Sequence, residues 1–315
     1  MTRKENILRT INRDSPEWIP YRYDGSLTLI RPNIVVRPVE GGRDDWGVYW
    51  VPTNEIEGSC PDGQPVISLE EIDSYQVPVT DWDRVTKNLK HQIESLSQTD
   101  TLVIAYNELT LFERAQLLLG NAEFLMATAL EPQQLEMLLD KIIDYQEMLT
   151  QAIMKSGISG VRFTDDWGMQ STLFISPEKW RKLIKPRLSR LYRVVKQRGG
   201  IVFQHSCGHI EEIVPDLIEI GIEVLDPCQP EANDIFKWKH DYGDQLTFMG
   251  GLDTQRYLSF GTPKEVKENV KKVLSIMGKG GGYIAAPSHT ITISEENRKA
   301  MVEVIDEIRK CLYQT

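Results

Sequence analysis

Short apolar runs alternate with longer amphipathic segments along most of the chain, and this alternation constrains the fold more than any other feature. The runs typical of buried strands cover residues 18–23, 101–106, 160–164, 200–207, 222–225, 246–249 and 283–286. Strands separated by helices pair in parallel, and seven or eight such units indicate a closed barrel rather than an open sheet. We therefore predict an α/β fold, a (β/α)8 TIM-type barrel in which residues 1–315 form a single domain.

Residues 26–82 interrupt the alternation. Pro, Gly and Asp separate short pieces of this stretch, among them the aromatic and acidic run Asp44-Asp45-Trp46-Gly47. Such a long irregular segment is uncommon in a compact domain unless it serves a function. We predict that residues 26–82 are an insertion after the first strand, or a lid over one end of the barrel.

The composition argues against several classes of partner. A net charge of −10 disfavours nucleic acid, because binding to a phosphate backbone depends on clustered Lys and Arg. No apolar run approaches the roughly 20 residues needed to span a bilayer, and the N-terminus lacks an apolar signal core. We therefore expect a cytoplasmic protein whose four cysteines are thiols rather than disulfides.

The run His205-Ser206-Cys207-Gly208 follows a group of strand formers. Alternate side chains of a strand share one face, so His205 and Cys207 are expected to project together. An imidazole and a thiolate suit zinc, and three protein ligands would leave a fourth position open for a substrate. Taken alone, such a pair is more often a packed thiol beside a hydrogen-bonded core histidine, and the metal interpretation depends on further ligands from other strand ends.

Polar side chains recur just past the predicted strands, at the end of a barrel that carries the chemistry of this fold. They are Asp24, Asn107, Glu108, Asp165, Asp166, Asp226, Cys228, Gln229, Asp253, Ser288 and His289. Convergence at one end brings His289 to His205 and Cys207 as the predicted third metal ligand, with Cys228 as its rival.

The same end is predicted to hold the catalytic and substrate-binding residues. Asp165, Asp166 and His289 form the predicted catalytic set, although either aspartate could instead cap a helix or pair with Arg162. The predicted substrate-binding residues are Tyr21, Arg22, Tyr23, Asp24, Asn107, Trp167 and Gln229.

Four stretches of the chain resemble the uroporphyrinogen decarboxylase superfamily, and in particular its cobalamin-dependent methyltransferase branch. They are residues 44–47, 164–168, 205–208 and 282–289. Methylcobamide:coenzyme M methyltransferases of this superfamily use a His-x-Cys pair and a later Cys as zinc ligands. The His-x-Cys falls on His205 and Cys207, whereas the later Cys falls where this chain has His289.

The resemblance implies a zinc-dependent methyltransferase that moves a methyl group between a corrinoid and a small thiol or other heteroatom substrate. It also implies that the corrinoid arrives free or on a separate carrier protein, and that the chain forms a homodimer. Uroporphyrinogen decarboxylase itself is the alternative activity, and His289 and the Asp165-x-Trp167 step resemble it.

The decarboxylase alternative conflicts with the charge of its substrate. Those enzymes supply arginines to an octa-carboxylate tetrapyrrole from an Arg-Gln-Ala-Gly-Arg segment, where this chain has only Arg22, close to Asp24. An aspartate there would repel the substrate. A metal-dependent hydrolase and a non-catalytic binding protein also remain open, and metal analysis separates these classes.

Overall fold

Seven parallel strands form the central sheet of the structure, a computed structural model that describes residues 1–53, 58–130 and 132–309. In sheet order they are β1 (Leu27–Ile30), β5 (Leu102–Asn107), β6 (Gly160–Thr164), β7 (Ile201–His205), β8 (Val224–Asp226), β9 (Thr247–Leu252) and β10 (Tyr283–Pro287). Tyr21 forms a parallel bridge with Ala285 of β10, so residues 21–30 connect the last strand to the first. This arrangement confirms the predicted α/β barrel.

The first strand lies later in the chain than the sequence pattern predicts. In place of a strand at 18–23 the described chain has the single bridge at Tyr21 and then a turn, in which the Asp24 carboxylate accepts hydrogen bonds from the backbone N–H groups of Tyr21 (3.1 Å) and Ser26 (2.9 Å). After this turn the chain continues in the same direction, and β1 begins at Leu27, inside the stretch predicted as an insertion.

Eleven helices surround or extend the sheet in the described part of the chain. They are α1 (Arg3–Asn12), α2 (Trp82–Ser95), α3 (Phe112–Leu119), α4 (Asn121–Leu130), α5 (Gln133–Lys155), α6 (Pro177–Leu183), α7 (Lys185–Lys196), α8 (Val214–Glu219), α9 (Ile235–Tyr242), α10 (Pro263–Met277) and α11 (Glu295–Ile308). Helix α10 begins with a capping box between Thr262 and Glu265, which satisfies backbone N–H groups at its start. None of the helices in the described residues is both long and apolar enough to cross a bilayer.

The barrel interior is filled at the end where its strands begin. Ile104, Phe203 and Ile284 point inward from three strands, and Ile7 and Ile11 of α1 pack against this inner cluster. Helix α1 therefore covers the amino-terminal end of the barrel, and the carboxyl ends of the strands are left to form a cavity.

Residues 31–81 include a small antiparallel sheet built from β2 (Gly42–Arg43), β3 (Tyr49–Pro52) and β4 (Ser59–Pro61). Asp44 anchors it, because its carboxylate accepts hydrogen bonds from the backbone N–H groups of Trp46 (3.0 Å) and Val48 (2.9 Å) and from the Trp50 indole (3.2 Å). The Arg114 guanidinium of α3 completes the shell at 2.6 Å, with both charged side chains buried. The 44–47 motif thus attaches the insertion to the barrel.

Candidate metal centre

Adjacent strands β6 and β7 place three potential ligands side by side. Thr164, the last residue of β6, pairs with His205, the last residue of β7. Asp166 and Cys207 each lie two residues beyond the end of these strands. Gly208 has a φ of +78°, and a Cβ on it would lie 2.1 Å from the carbonyl oxygen of Gly168, so only glycine lets the two loops approach this closely.

The three ligand atoms of Asp166, His205 and Cys207 all lie within 4.8 Å of one another. Cys207 Sγ is 3.4 Å from His205 Nε2, which is 3.6 Å from Asp166 Oδ1. In tetrahedral zinc with ligand bonds of about 2.0–2.3 Å, neighbouring ligand atoms are roughly 3.4–3.6 Å apart. The distances from His205 Nε2 to the sulfur and to the carboxylate oxygen are therefore those expected between neighbouring ligands of a zinc ion.

A buried ion pair orients His205. Asp226 at the end of β8 lies 2.6 Å from His205 Nδ1, and Arg162 of β6 binds the same carboxylate through Nε (2.9 Å) and Nη2 (2.5 Å). Since Nδ1 faces this pair, Nε2 faces Cys207 and Asp166. Contacts of this kind behind a histidine ligand are usual in metal sites, because they fix the ring.

The electrostatics of the cluster favour a cation. Burial raises the pKa of the Cys207 thiol well above its ordinary value, and the neighbouring carboxylates of Asp166, Asp226 and Glu113 raise it further. Burial would also raise the pKa of Asp226, but the charge of Arg162 and the hydrogen bonds from Arg162 and His205 outweigh it and hold that pKa below its usual range. A divalent ion beside the sulfur would reverse the situation of the thiol and stabilise the thiolate.

Neither predicted third ligand belongs to this cluster; in the described residues Asp166 takes that place. His289 is exposed at the cavity rim, where its Nδ1 lies 3.1 Å from the Thr290 carbonyl oxygen. Its strand β10 is separated from β7 by β8 and β9, which explains the distance. Cys228 is buried and its Sγ contacts the Leu225 carbonyl oxygen at 3.3 Å, beneath the cavity.

Asp165 faces away from the cluster and caps helix α3. Its fully buried carboxylate accepts hydrogen bonds from the backbone N–H groups of Phe112 (2.8 Å) and Glu113 (2.8 Å) and from the Trp167 indole (3.2 Å). Burial raises the pKa of Asp165 to about 7, against the lowering effect of these donors. The helix-cap alternative therefore describes Asp165, whereas Asp166 reaches the metal centre.

A cavity of about 1350 Å³ lies above the cluster. Residues 34–40 form one of its walls, so part of the insertion covers the centre. Among the described residues that line the cavity, the arginines are Arg22, Arg31, Arg37 and Arg162, and the acids are Glu40, Glu108, Glu113, Asp166 and Asp226. Positive and negative charges are thus nearly balanced.

Three of the predicted substrate-binding residues line the cavity, namely Arg22, Tyr23 and Asn107. The other four hold the surrounding structure and are Tyr21, Asp24, Trp167 and Gln229. Tyr21 forms the bridge to β10, and Asp24 holds its turn and pairs with Arg309 at 3.0 Å. Trp167 is buried against Trp180, and the Gln229 side-chain oxygen accepts a hydrogen bond from the Gly208 N–H.

Two further cavity residues were not predicted from the sequence. The sequence suggests Arg162 only as an alternative partner of Asp165 or Asp166, yet in the structure it pairs with Asp226. A charged residue inside the apolar run 160–164 is a signal that could have identified it. Glu113 lines the cavity beside Asp166, and burial and the two neighbouring aspartates raise its pKa well above the ordinary value. Its position at a helix start gave no such signal.

Comparison with solved structures supports the fold. A methyltransferase from Methanosarcina mazei superposes with a TM-score of 0.72 and 18% sequence identity, covering 98% of this chain and 99% of that one. At this identity the similarity establishes a shared fold.

Curated relatives carry two different names. A uroporphyrinogen decarboxylase of Hahella chejuensis is 24% identical over 188 residues, which is 58% of this chain and 51% of that protein. The methylcobamide:CoM methyltransferase MtaA of Methanosarcina barkeri is 25% identical over 158 residues, which is 50% of this chain and 44% of that protein. The chain thus spans about half the length of the curated relatives it matches.

The family itself is defined by a longer match. The profile of the family described as uroporphyrinogen decarboxylase (URO-D) matches residues 56–308, which is most of the chain. This match includes Asp166, His205 and Cys207, and three of the four stretches noted in the sequence, residues 164–168, 205–208 and 282–289, lie within it. The chain belongs to the uroporphyrinogen decarboxylase (URO-D) family.

Proposed function

We propose that this protein is a zinc-dependent methyltransferase that moves a methyl group between a corrinoid and a small thiol or other heteroatom substrate. The observation that carries the proposal is the triangle of Asp166, His205 and Cys207, whose 3.4 and 3.6 Å edges match a tetrahedral zinc site. The similarity to an MtaA methyltransferase supports it.

The residues in and behind the proposed centre have different roles. Asp166, His205 and Cys207 line the cavity and would hold the ion, and three protein ligands would leave room for a substrate atom. Zinc bound there supplies Lewis acidity, which lowers the pKa of a substrate thiol or polarises a methyl-bearing heteroatom. Asp226 and Arg162 keep the His205 ring in place from behind.

The cavity provides room for both reactants. Its volume of about 1350 Å³ exceeds the roughly 300–1,000 Å³ typical of pockets for one small ligand. Asn107 and Arg22 orient the polar part of the substrate, Tyr23 covers its apolar side, and His289 exchanges a proton with it from the rim. The corrinoid enters through the open end of the barrel, either free or on a carrier protein.

Uroporphyrinogen decarboxylation is the weaker candidate, despite the name of several relatives. Four arginines and five acids line the cavity in the described residues. Two of these arginines are already engaged, Arg31 with Glu108 at 3.0 Å and Arg162 with Asp226. A substrate with eight carboxylates requires a clear excess of available positive charge.

Metal analysis of the purified protein, followed by a methyl-transfer assay, tests the proposal. Protein prepared without chelator should contain about one zinc per chain, since a three-ligand site of this kind retains its metal. Cys207→Ala should lose that zinc, while the matched control Cys60→Ala, which removes an exposed thiol, should keep it. The zinc-loaded protein should demethylate methylcobalamin in the presence of a small thiol, and chelation should abolish this.

Two results would contradict the proposal. The first is zinc well below one per chain in protein that is folded by circular dichroism. The second is decarboxylation of a porphyrinogen that proceeds at the same rate after removal of metal, since this would establish the metal-independent activity instead.

A further inference from the structure

We propose that Arg162 and Asp226 are positioning residues that select the Nδ1–H tautomer of His205, so that only Nε2 is left with a lone pair for a metal. The inference rests on the proposed zinc centre for its consequence, but the tautomer itself is a property of the metal-free protein. Arg162 lies on β6 and Asp226 on β8, the two strands that flank β7 and its His205.

The geometry around Nδ1 leaves one consistent assignment. Asp226 Oδ1 is 2.6 Å from Nδ1, a distance that requires a hydrogen atom between the two. Arg162 grips both oxygens of that carboxylate in a bidentate pair, which is the arrangement of an ionised carboxylate with acceptor atoms only. The hydrogen therefore belongs to Nδ1, and the neutral ring has its lone pair on Nε2.

Arg162 also lies close to Nδ1, with Nη2 at 2.8 Å. A guanidinium can only donate, so it cannot bond to Nδ1–H and its Nη2 hydrogen goes to Asp226 Oδ1 instead. The ring of Tyr106 packs on the guanidinium, with its centroid 4.9 Å from Cζ, and limits its movement. Both charged side chains are nearly buried, with 11% and 4% exposed, so water cannot readily replace either partner.

This arrangement predicts a specific effect of removing the carboxylate. Asp226→Leu takes away the acceptor of Nδ1–H but leaves Nη2 of Arg162 2.8 Å from Nδ1. The guanidinium can only donate, so Nδ1 becomes the acceptor and the hydrogen of His205 moves to Nε2. A protonated Nε2 cannot bind a metal. When Arg162 is also replaced by Met, this donor is removed and the Nδ1–H tautomer is accessible again.

The experiment combines ring nitrogen-15 NMR of metal-free protein with zinc affinity from chelator competition. Spectra are recorded at about pH 8, above the ordinary histidine pKa, with the His205 signals assigned by their loss in His205→Gln. We expect an unprotonated Nε2 in the wild type and a protonated Nε2 in Asp226→Leu, with zinc affinity lowered about 10–100-fold. The double variant Arg162→Met/Asp226→Leu should bind zinc more tightly than Asp226→Leu alone.

Asp216→Leu is the matched control, because Asp216 is a nearly buried carboxylate that Arg181 holds at 2.8 Å, remote from His205. It should change neither the His205 spectrum nor the zinc affinity. An Nε2–H signal in the wild type, or a double variant weaker than the single one, would overturn the inference. If Asp226→Leu does not fold, the wild-type spectrum still decides the tautomer. Absence of zinc binding by a wild type with the expected spectrum would refute the proposed function and leave the tautomer assignment standing.

Discussion

Replacement of Arg114 by Met should weaken the attachment of the cavity wall to the barrel and lower the free energy of unfolding. The substitution leaves the Asp44 carboxylate buried with its three neutral donors but without its counter-charge. Breaking a buried ion pair on one side costs about 3–5 kcal/mol. For 315 residues, an unfolding entropy of about 2.1 cal/mol/K per residue converts this cost into a melting temperature lower by roughly 5–8 °C.

Differential scanning calorimetry measures the shift, and hydrogen exchange localises it. Relative to the wild type, we expect the exchange rate in Arg114→Met to rise more in residues 34–50, which Asp44 holds in place, than in the central strands. Arg190→Met is the matched control, since Arg190 pairs at 38% exposure with Asp144 and Glu147 and its removal should cost less than about 1 kcal/mol. If Arg114→Met and Arg190→Met melt within 1 °C (about 0.7 kcal/mol) of each other, the anchoring role of the 44–47 motif is wrong.

Three further substitutions test the assignments at the metal centre. Asp166→Ala should weaken zinc binding at least about ten-fold, as chelator competition would reveal. Asp165→Ala should keep its zinc but melt about 1–3 °C lower in calorimetry, because helix α3 loses its cap. His289→Ala should retain one zinc per chain and lose methyl-transfer rate, and loss of zinc in this variant would return His289 to the ligand set. Cys228→Ala should bind zinc as the wild type does, because its sulfur faces the Leu225 carbonyl oxygen; an altered zinc content would contradict this position.

The sequence predicts the barrel and one side of the proposed metal centre for local reasons. The spacing of His205 and Cys207 along a run of strand formers is enough to place both side chains together, because the two-residue period of a strand is independent of the rest of the fold. The alternation of strands and helices likewise predicts parallel pairing, whichever residues fill the core.

Local pattern was insufficient where several polar residues follow neighbouring strands. Asp165 and Asp166 are adjacent and chemically identical, yet one caps α3 and the other lies beside Cys207. The sequence pattern also predicts the first strand several residues too early in the chain, for a related reason. The apolar run at 18–23 ends in a turn held by Asp24, and the pairing partner of the sheet comes only after it.

What the sequence by itself determined is therefore the repeating unit and the His205–Cys207 pair, both of which depend on residues close together in the chain. Tertiary structure decided which carboxylate lies beside that pair, because strand order places the loop after β6 next to that of β7 and leaves His289 two strands further away. It also decided the role of Arg162, since a guanidinium on β6 reaches Asp226 on β8 only across the barrel interior above Phe203 and its neighbours. Contacts between distant residues depend on register and strand order, and these are set by the packing of the whole barrel.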